Sequence, residues 1–216
     1  MIIAPSILSA DFANLGKDLC SIKDSGADWV HFDVMDGRFV PNISMGIPVL
    51  KSVRKSTDMF IDVHLMIVEP QEYAELFCKA GADMVTVHAE ASSPENIHKA
   101  LEIIRLNGKK CGIVLKPKTS PELLREYLKE IDMVLEMTVE PGFGGQGFLS
   151  ETIEKIAVIR NMIRKINPSC HLEVDGGINA ENVKLVVEKG ADVIVAGSYF
   201  FLSPDRKEAI RLLRIR

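Results

Sequence analysis

Apolar residues fall into eight short, nearly continuous runs, and between these runs they recur at every third or fourth position. Continuous runs are typical of strands buried on both faces of a parallel sheet, and the spaced pattern is typical of amphipathic helices. The runs predict strands at 2–8, 29–34, 59–66, 84–88, 111–115, 133–139, 171–175 and 193–196. The chain therefore alternates strand and helix throughout.

Two helical patterns are especially clear. The apolar positions of the longer one are Ile153, Ile156, Ile159, Ile163 and Ile166. The other has Leu15, Leu19 and Ile22 on one face and is predicted to start from a Ser9 cap. Each helix thus has an apolar face that can cover a sheet.

An internal repeat sets the number of strand–helix units. The triplet Gly-Ala-Asp, followed by a strand-like run, begins at positions 26, 81 and 190. The spacing is about 54 residues or twice that, which corresponds to about 27 residues per unit if each period holds two units. The full 216 residues then hold eight units. An open doubly wound sheet also alternates strand and helix, but eight units favour one α/β domain, a (β/α)8 TIM barrel over residues 1–216.

Composition narrows the class of protein. The chain is 47% hydrophobic and 26% charged, and its net charge of −4 argues against binding to nucleic acid. It opens without a basic leader and has no apolar run long enough to cross a bilayer, which predicts a cytoplasmic protein. Its four cysteines are far apart in sequence and are predicted to be reduced core thiols: Cys20, Cys78, Cys111 and Cys170.

Ionisable residues collect at the predicted carboxyl ends of the strands, where barrels of this class carry their catalytic groups. Residues two apart on a strand face the same side. Three strands carry such pairs: His31 with Asp33, Asp62 with His64, and Glu173 with Asp175. Packing or helix capping would explain any one of these residues, but several like charges converging on one barrel mouth require a cation or shared protons.

A divalent metal would relieve this repulsion. The predicted ligands are His31, Asp33, His64 and Asp175. Imidazole and carboxylate together suit Zn²⁺, Fe²⁺, Mn²⁺ or Co²⁺, so the metal stays open. Asp62 and Glu173 could support these ligands or could face the helices.

Other polar and sulfur-containing residues near the strand ends allow two interpretations. His88 could be a further ligand or pocket residue, although a hydrogen bond to backbone is favoured, and Lys116 could line the pocket or extend to solvent. His98 and His171 are interpreted as structural. Core packing is favoured over a pocket wall for Met35, Met66 and Met137.

Glycine-rich segments follow the last three strands, at 140–147, 175–177 and 197–198. Gly142, Gly144 and Gly147 match the spacing of a dinucleotide fingerprint, but the expected acidic residue does not follow at the right distance. No organic cofactor is therefore expected. Glycine lets backbone amides approach an anion closely, which indicates a phosphate site at this end of the barrel.

Five segments together are similar to the ribulose-phosphate 3-epimerase family, and the similarity covers nearly the whole chain. They lie at 4–11, 31–42, 62–66, 137–146 and 173–177. The longest is His31-Phe-Asp-Val-Met-Asp-Gly-Arg-Phe-Val-Pro-Asn42, which is far more specific than a glycine pattern.

The resemblance implies a metal-dependent (β/α)8 isomerase of carbohydrate metabolism that interconverts ribulose 5-phosphate and xylulose 5-phosphate in the pentose phosphate pathway. It implies the same four metal ligands, with Asp33 and Asp175 also acting as acid and base. Ser6 and His64 would touch the sugar. The phosphate-binding residues would be Gly144, Gly145, Gly177, Gly197 and Ser198, with Gly142, Phe143 and Gly176 shaping the same loops. A homo-oligomer is also implied.

The hypothesis is a two-base inversion at carbon 3 through a metal-stabilised enediolate, with Asp33 the base in one direction and Asp175 in the other. A hexulose-phosphate 3-epimerase acting on allulose 6-phosphate and a non-catalytic phosphosugar-binding barrel remain as alternatives. A decarboxylase would need Asp-x-Lys-x-x-Asp on the third strand. Residues 62–67 read Asp-Val-His-Leu-Met-Ile and lack both the lysine and the second acid.

Overall fold

The computed structural model describes residues 1–214, in which eight parallel strands alternate with helical structure. The strands are β1 (Ile2–Ala4), β2 (Trp29–Met35), β3 (Phe60–Met66), β4 (Met84–His88), β5 (Lys110–Leu115), β6 (Met133–Met137), β7 (His171–Asp175) and β8 (Val193–Val195). The helices are α1 (Leu15–Asp24), α2 (Ile47–Ser56), α3 (Ala74–Ala80), α4 (Pro94–Leu106), α5 (Thr152–Ile166), α6 (Val183–Glu188), α7 (Ser198–Phe201) and α8 (Arg206–Leu213). A 3₁₀ helix, Pro121–Glu126, stands between β5 and β6.

The strands form a barrel that is nearly closed. The ladder runs in the order β1-β8-β7-β6-β5-β4-β3-β2, with every pair parallel. At the seam between β1 and β2, the amide of His31 donates to the carbonyl of Pro5 at 3.1 Å and the amide of Asp28 donates to Ile3 at 3.0 Å. The predicted (β/α)8 fold is confirmed. Residues 215–216 of the predicted domain lie outside the described residues.

The amino-terminal end of the barrel interior is filled by apolar side chains. They are Met84, Met133 and Val193, with Ile2, Trp29 and Phe60 packed against them. The rings of Trp29 and Phe60 stack with centroids 4.4 Å apart. Because this plug closes one end, polar groups inside the barrel can meet solvent only at the carboxyl ends of the strands.

Two strands are shorter than the apolar pattern predicts by two residues or more. The first was expected to reach residue 8, but β1 ends at Ala4. Ser6 accepts a hydrogen bond from the amide of Leu8 at 3.3 Å and caps a 3₁₀ helix, Ile7–Ser9, so local side-chain bonding replaces the ladder. The sixth strand was expected to reach residue 139, and β6 ends at Met137.

The predicted Ser9 cap of α1 is wrong. Ser9 closes the 3₁₀ helix before it, and α1 begins only at Leu15, with no side-chain hydrogen bond from Asn14 at the preceding position. The reason is Asp11, whose carboxylate accepts from the amide of Ala13 at 3.0 Å and starts a second 3₁₀ turn. This turn delays the α-helix by several residues.

All four cysteines are free thiols, as predicted, but one is not in the core. Cys78, Cys111 and Cys170 are buried, whereas Cys20 lies exposed on α1, so the core prediction is wrong for Cys20. Within residues 1–214, no helix combines the length and the apolar character that crossing a bilayer requires.

Candidate active site

Strand pairing brings the ionisable residues of β2 and β3 together inside the barrel. In the parallel register, His31 pairs with Asp62 and Asp33 pairs with His64. Because alternate residues of a strand face the same side, all four point into the barrel. Asp175, at the end of β7, reaches the same position from across the interior.

Four side chains converge as the sequence predicted. His31 Nε2 lies 3.3 Å and His64 Nδ1 lies 3.0 Å from Asp33 Oδ1. Asp175 Oδ2 lies 3.9 Å from each of these two ring nitrogens. One donor atom from each residue therefore falls within 4.8 Å of all the others, which is the geometry of a possible metal site.

A buried ring nitrogen without a partner shows that this cluster fits a metal ion. His31 Nε2 is fully buried and has no hydrogen-bond partner among the described residues. The other nitrogen of this ring, Nδ1, lies 2.8 Å from Asp62 Oδ2, an arrangement that leaves Nε2 free to act as a ligand. Two nitrogens and two carboxylates suit Zn²⁺, Fe²⁺, Mn²⁺ or Co²⁺ and do not single out one ion.

The environment drives the pKa values of the two carboxylic acids apart. Burial alone would raise the pKa of Asp33, but His31 and His64 outweigh it and hold that pKa well below its usual range. Burial and the charge of Asp33 raise the pKa of Asp175 to about 6. Pairs of acids with separated pKa values are typical of acid–base catalysis.

Two further acids lie beneath the cluster. Asp62 and Glu173 are both fully buried, and Glu173 Oε1 lies 3.7 Å from His31 Nδ1. Both acids therefore face the barrel interior and contact a candidate ligand, so the helix-facing interpretation is wrong. Burial, reinforced by the charge of Asp62, raises the pKa of Glu173 well above its ordinary value.

The sequence favoured a hydrogen bond between the His88 ring and the backbone, and this prediction is wrong. The ring contacts two side chains. Its Nε2 lies 2.9 Å from His64 Nε2 and its Nδ1 lies 3.2 Å from Glu90 Oε2. It is therefore connected to the cluster without belonging to it. His98 and His171 lie outside the site and contact surface acids, as their structural interpretation predicts.

The cavity above the cluster contains most of the predicted substrate-binding residues. Those that line it are Ser6, Gly142, Phe143, Gly144, Gly145, Gly176, Gly177, Gly197 and Ser198, together with Asp33 and Asp175. The hydroxyl of Ser6 donates to Asp33 Oδ2 at 2.5 Å. His64 is fully buried beside Asp33 and is not among the lining residues, so its contact with a sugar stays a prediction.

Close backbone packing accounts for two of the glycines. At Gly176 (φ +125°) a Cβ would lie 2.4 Å from the side chain of Val139. At Gly177 (φ +67°) it would lie 2.5 Å from the amide nitrogen of Phe148. The loops after β6 and β7 can therefore meet only if both positions lack a side chain.

The cavity wall also includes residues whose role the sequence left unresolved. Met35, Met66 and Met137 are buried and also line the cavity, so the two interpretations of these methionines hold together. The amine of Lys116 lies 4.0 Å from the centre of the Phe39 ring, which places it beside the mouth and outside the cavity lining.

Three residues next to the site were not predicted as site residues from the sequence. Ser9 and Gln146 line the cavity, and Glu90 contacts His88. A signal existed for Glu90, because it lies two residues after a strand-end histidine. None was available for Ser9, because its approach to Gly197 depends on how β1 packs beside β8.

Comparison with known proteins agrees with this geometry. The model of the ribulose-phosphate 3 epimerase family matches residues 2–201. The ribulose-phosphate 3-epimerase of Synechocystis is 47% identical over 99% of this chain and 93% of its own length. The enzyme of the same name from Bacillus subtilis is 46% identical over 98% and 97%.

Solved structures show the same fold at low identity. A 3-hexulose-6-phosphate synthase from Salmonella typhimurium superposes with a TM-score of 0.73 at 18% identity, covering 99% of this chain and 96% of that one. A KGPDC from Streptococcus mutans gives 0.75 at 13%, covering 98% and 94%. These similarities establish the barrel and nothing about the reaction.

Fold and relatives together define a (β/α)8-barrel isomerase, in which histidine and aspartate side chains form a possible metal site. The chain belongs to the ribulose-phosphate 3 epimerase family. The resemblance drawn from the sequence motifs is thereby confirmed.

Proposed function

We propose that this protein interconverts D-ribulose 5-phosphate and D-xylulose 5-phosphate by moving a proton at carbon 3. The observation that carries the proposal is the pair Asp33 and Asp175. These carboxylic acids border one cavity, belong to strands on different sides of the barrel and have pKa values driven in opposite directions. Family membership supports the choice of sugar phosphate.

Inversion of carbon 3 requires a base on one face of the substrate and an acid on the other. Asp33 removes the proton in one direction while protonated Asp175 supplies one to the opposite face, and the roles reverse for the return reaction. The Ser6 hydroxyl, 2.5 Å from Asp33 Oδ2, orients this carboxylate and leaves Oδ1 toward the histidines.

The four-residue cluster would hold one divalent metal, Zn²⁺, Fe²⁺, Mn²⁺ or Co²⁺. When bound, this ion acts as a Lewis acid that stabilises negative charge on the substrate oxygens next to carbon 3. Its ligands would be His31 through Nε2, His64 through Nδ1, and one oxygen each of Asp33 and Asp175. The reaction needs no organic cofactor.

The glycine-rich loops after β6, β7 and β8 would bind the phosphate. Residues of all three loops line the cavity, and the predicted contacts of the phosphate are Gly144, Gly145, Gly177, Gly197 and Ser198. Binding a group remote from the reacting carbon provides energy that can orient the substrate. We also propose that the protein is a cytoplasmic homo-oligomer that binds no nucleic acid, in line with its charge and its family.

Gly177→Ala is expected to raise KM for ribulose 5-phosphate about tenfold, corresponding to about 1.4 kcal/mol, with a smaller change in kcat. The new Cβ would meet the backbone of Phe148 and force the phosphate loops apart. Steady-state kinetics would measure the effect. Gly147→Ala is the matched control, because it lies in the neighbouring glycine-rich loop after β6, next to Phe148, and its Cβ would meet nothing within 4 Å. Equal KM values for the two variants would contradict this phosphate site.

Proton NMR of the protein with ribulose 5-phosphate in D₂O tests the function. Appearance of xylulose 5-phosphate with deuterium at carbon 3 is the expected result. A folded, metal-loaded sample that shows neither would overturn the ribulose assignment. Allulose 6-phosphate, assayed in parallel, would then decide between a hexulose-phosphate epimerase and a non-catalytic phosphosugar-binding barrel.

A further inference from the structure

A chain of hydrogen bonds runs from a loop outside the barrel to a candidate metal ligand. Glu90 Oε2 lies 3.2 Å from His88 Nδ1, and His88 Nε2 lies 2.9 Å from His64 Nε2. The remaining nitrogen, His64 Nδ1, faces Asp33 and Asp175. Both imidazoles are fully buried, so their hydrogen-bond partners are these side chains and not bulk solvent.

The outer end of this chain has a fixed hydrogen-bond direction. Glu90 Oε1 accepts from the amide of Lys116 at 2.9 Å and also from the hydroxyl of Thr119. An ionised carboxylate can only accept, so its other oxygen must receive the Nδ1 proton of His88. Burial alone would raise the pKa of Glu90, but contact with His88 and these hydrogen bonds lower it to about 2, which keeps the group ionised.

The hydrogen-bond direction set at His88 also determines the direction at His64. A neutral imidazole carries one N–H and one bare nitrogen. If His88 carries its proton on Nδ1, its Nε2 is bare and accepts the Nε2 proton of His64. A neutral His64 then has a bare Nδ1, which is the form that a metal requires. Without a metal, Asp33 Oδ1, 3.0 Å from Nδ1, favours a proton on this nitrogen, so the Glu90 chain opposes that protonation and favours the metal-binding tautomer.

We propose that Glu90 is a positioning residue for the metal centre, because through His88 it fixes His64 in the tautomer that presents a bare Nδ1 to a divalent cation. This inference rests on the proposed metal site. Asp62 provides the corresponding contact to His31 directly, at 2.8 Å, whereas Glu90 acts from one residue farther away.

Replacing Glu90 with glutamine should reverse the donor and acceptor roles along this chain of hydrogen bonds. The amide oxygen would face the two donors from Lys116 and Thr119, which leaves the NH₂ group facing His88 Nδ1. His88 would then carry its proton on Nε2, and His64 would be driven to carry its proton on Nδ1, where the metal should bind. Glutamine has nearly the shape of glutamate, so the change reverses the direction of the hydrogen bonds and leaves the packing intact.

The test is zinc affinity, measured by competition with a chromophoric chelator. Glu90→Gln should bind Zn²⁺ about 10- to 100-fold more weakly than wild type. Glu90→Asp should bind more tightly than Glu90→Gln, because it keeps an acceptor-only group despite its shorter side chain. A purely structural role predicts the reverse order, since glutamine preserves the shape.

Glu136→Gln is the matched control. Glu136 is another buried acid and lies 3.0 Å from the amine of Lys155, which also donates to the carbonyl of Lys116 at 2.7 Å. It thus borders the same segment without contacting either histidine. Its variant should bind Zn²⁺ within about twofold of wild type, because the change leaves His88, His64 and the other candidate ligands untouched.

Nitrogen-15 NMR of the zinc-loaded wild type gives a second, independent readout. The proposal requires the His88 proton on Nδ1 and the His64 proton on Nε2. The opposite tautomer of His88, or a Glu90→Gln affinity equal to that of Glu136→Gln, would overturn it. If Glu90→Gln does not fold by circular dichroism, the Glu90→Asp affinity and the wild-type tautomers decide.

These outcomes separate the inference from the proposed function. Wild type that binds no zinc overturns both the metal site and the role of Glu90. Wild type that binds zinc with the expected tautomers but epimerises no sugar phosphate overturns only the proposed reaction.

Discussion

Asp175→Asn is expected to lower kcat for epimerisation by about 10³-fold, and Asp33→Asn is expected to have an effect of the same size. Asparagine keeps an oxygen that can bind a metal but cannot accept or deliver a proton at catalytic pH. Since each acid serves one face of carbon 3, losing either stops inversion in both directions. Steady-state kinetics at saturating metal separates this effect from weaker metal binding.

Deuterium exchange gives this prediction a sharper form. Each variant keeps one working carboxylate, so each should still exchange the carbon 3 proton of only one of the two epimers with D₂O, and the two variants should differ in which. Asp24→Asn, an exposed position on α1, is the control and should match wild type. Near-normal turnover by either active-site variant would contradict the two-base assignment.

Removing the divalent metal with a chelator is expected to lower activity by about 10³-fold, because stabilisation of charge on the substrate oxygens is worth several kcal/mol. Added Zn²⁺, Mn²⁺ or Co²⁺ should restore it. His31→Gln should behave like the chelated protein, since His31 Nε2 is the metal-binding atom that has no hydrogen-bond partner among the described residues. His171→Gln, at the start of β7 and beside Asp192, should not. Activity that survives exhaustive chelation would contradict the metal site.

The same experiment has a stability readout with a definite pH dependence. At about 100 times its Kd, the metal should stabilise the fold by about 2.7 kcal/mol, which raises Tm by about 5–10 °C. Burial and the charge of Asp33 raise the pKa of Asp175 to about 6. Without metal, the stability from its protonation is present at low pH and is lost as pH rises through 6. Protons and metal therefore compete, and the Tm increment should shrink between pH 7.5 and pH 5.5.

Hydrophobic patterning was enough to predict all eight strands, because each is buried on both faces and reads as an apolar run. The errors fell at the ends. At Ser6 a side-chain hydrogen bond to Leu8 ends β1 early, and at Asp11 a second turn postpones α1. Local polar bonding of this kind competes with regular structure without changing the apolar pattern.

The convergence of the four candidate ligands also followed from the sequence, because the side-chain period of two and the parallel direction of the strands bring their carboxyl ends to one place. His31, Asp33, His64 and Asp175 needed only that rule. The partners of these residues did not follow from it. Asp62 and Glu173 share a face with the ligands, but their contact with His31 depends on the register between β2 and β3 and on the closure of the barrel.

By itself, the sequence determined the number and order of the strands, the ring of ionisable groups and the glycine loops, since each depends on spacing along one element. Only the tertiary structure decided that His88 contacts His64 and that Glu90, held by Lys116 and Thr119 from the next loop, contacts His88. The direction of a hydrogen bond depends on which donors and acceptors neighbouring strands bring together. The apolar pattern along one strand carries no information about that pairing.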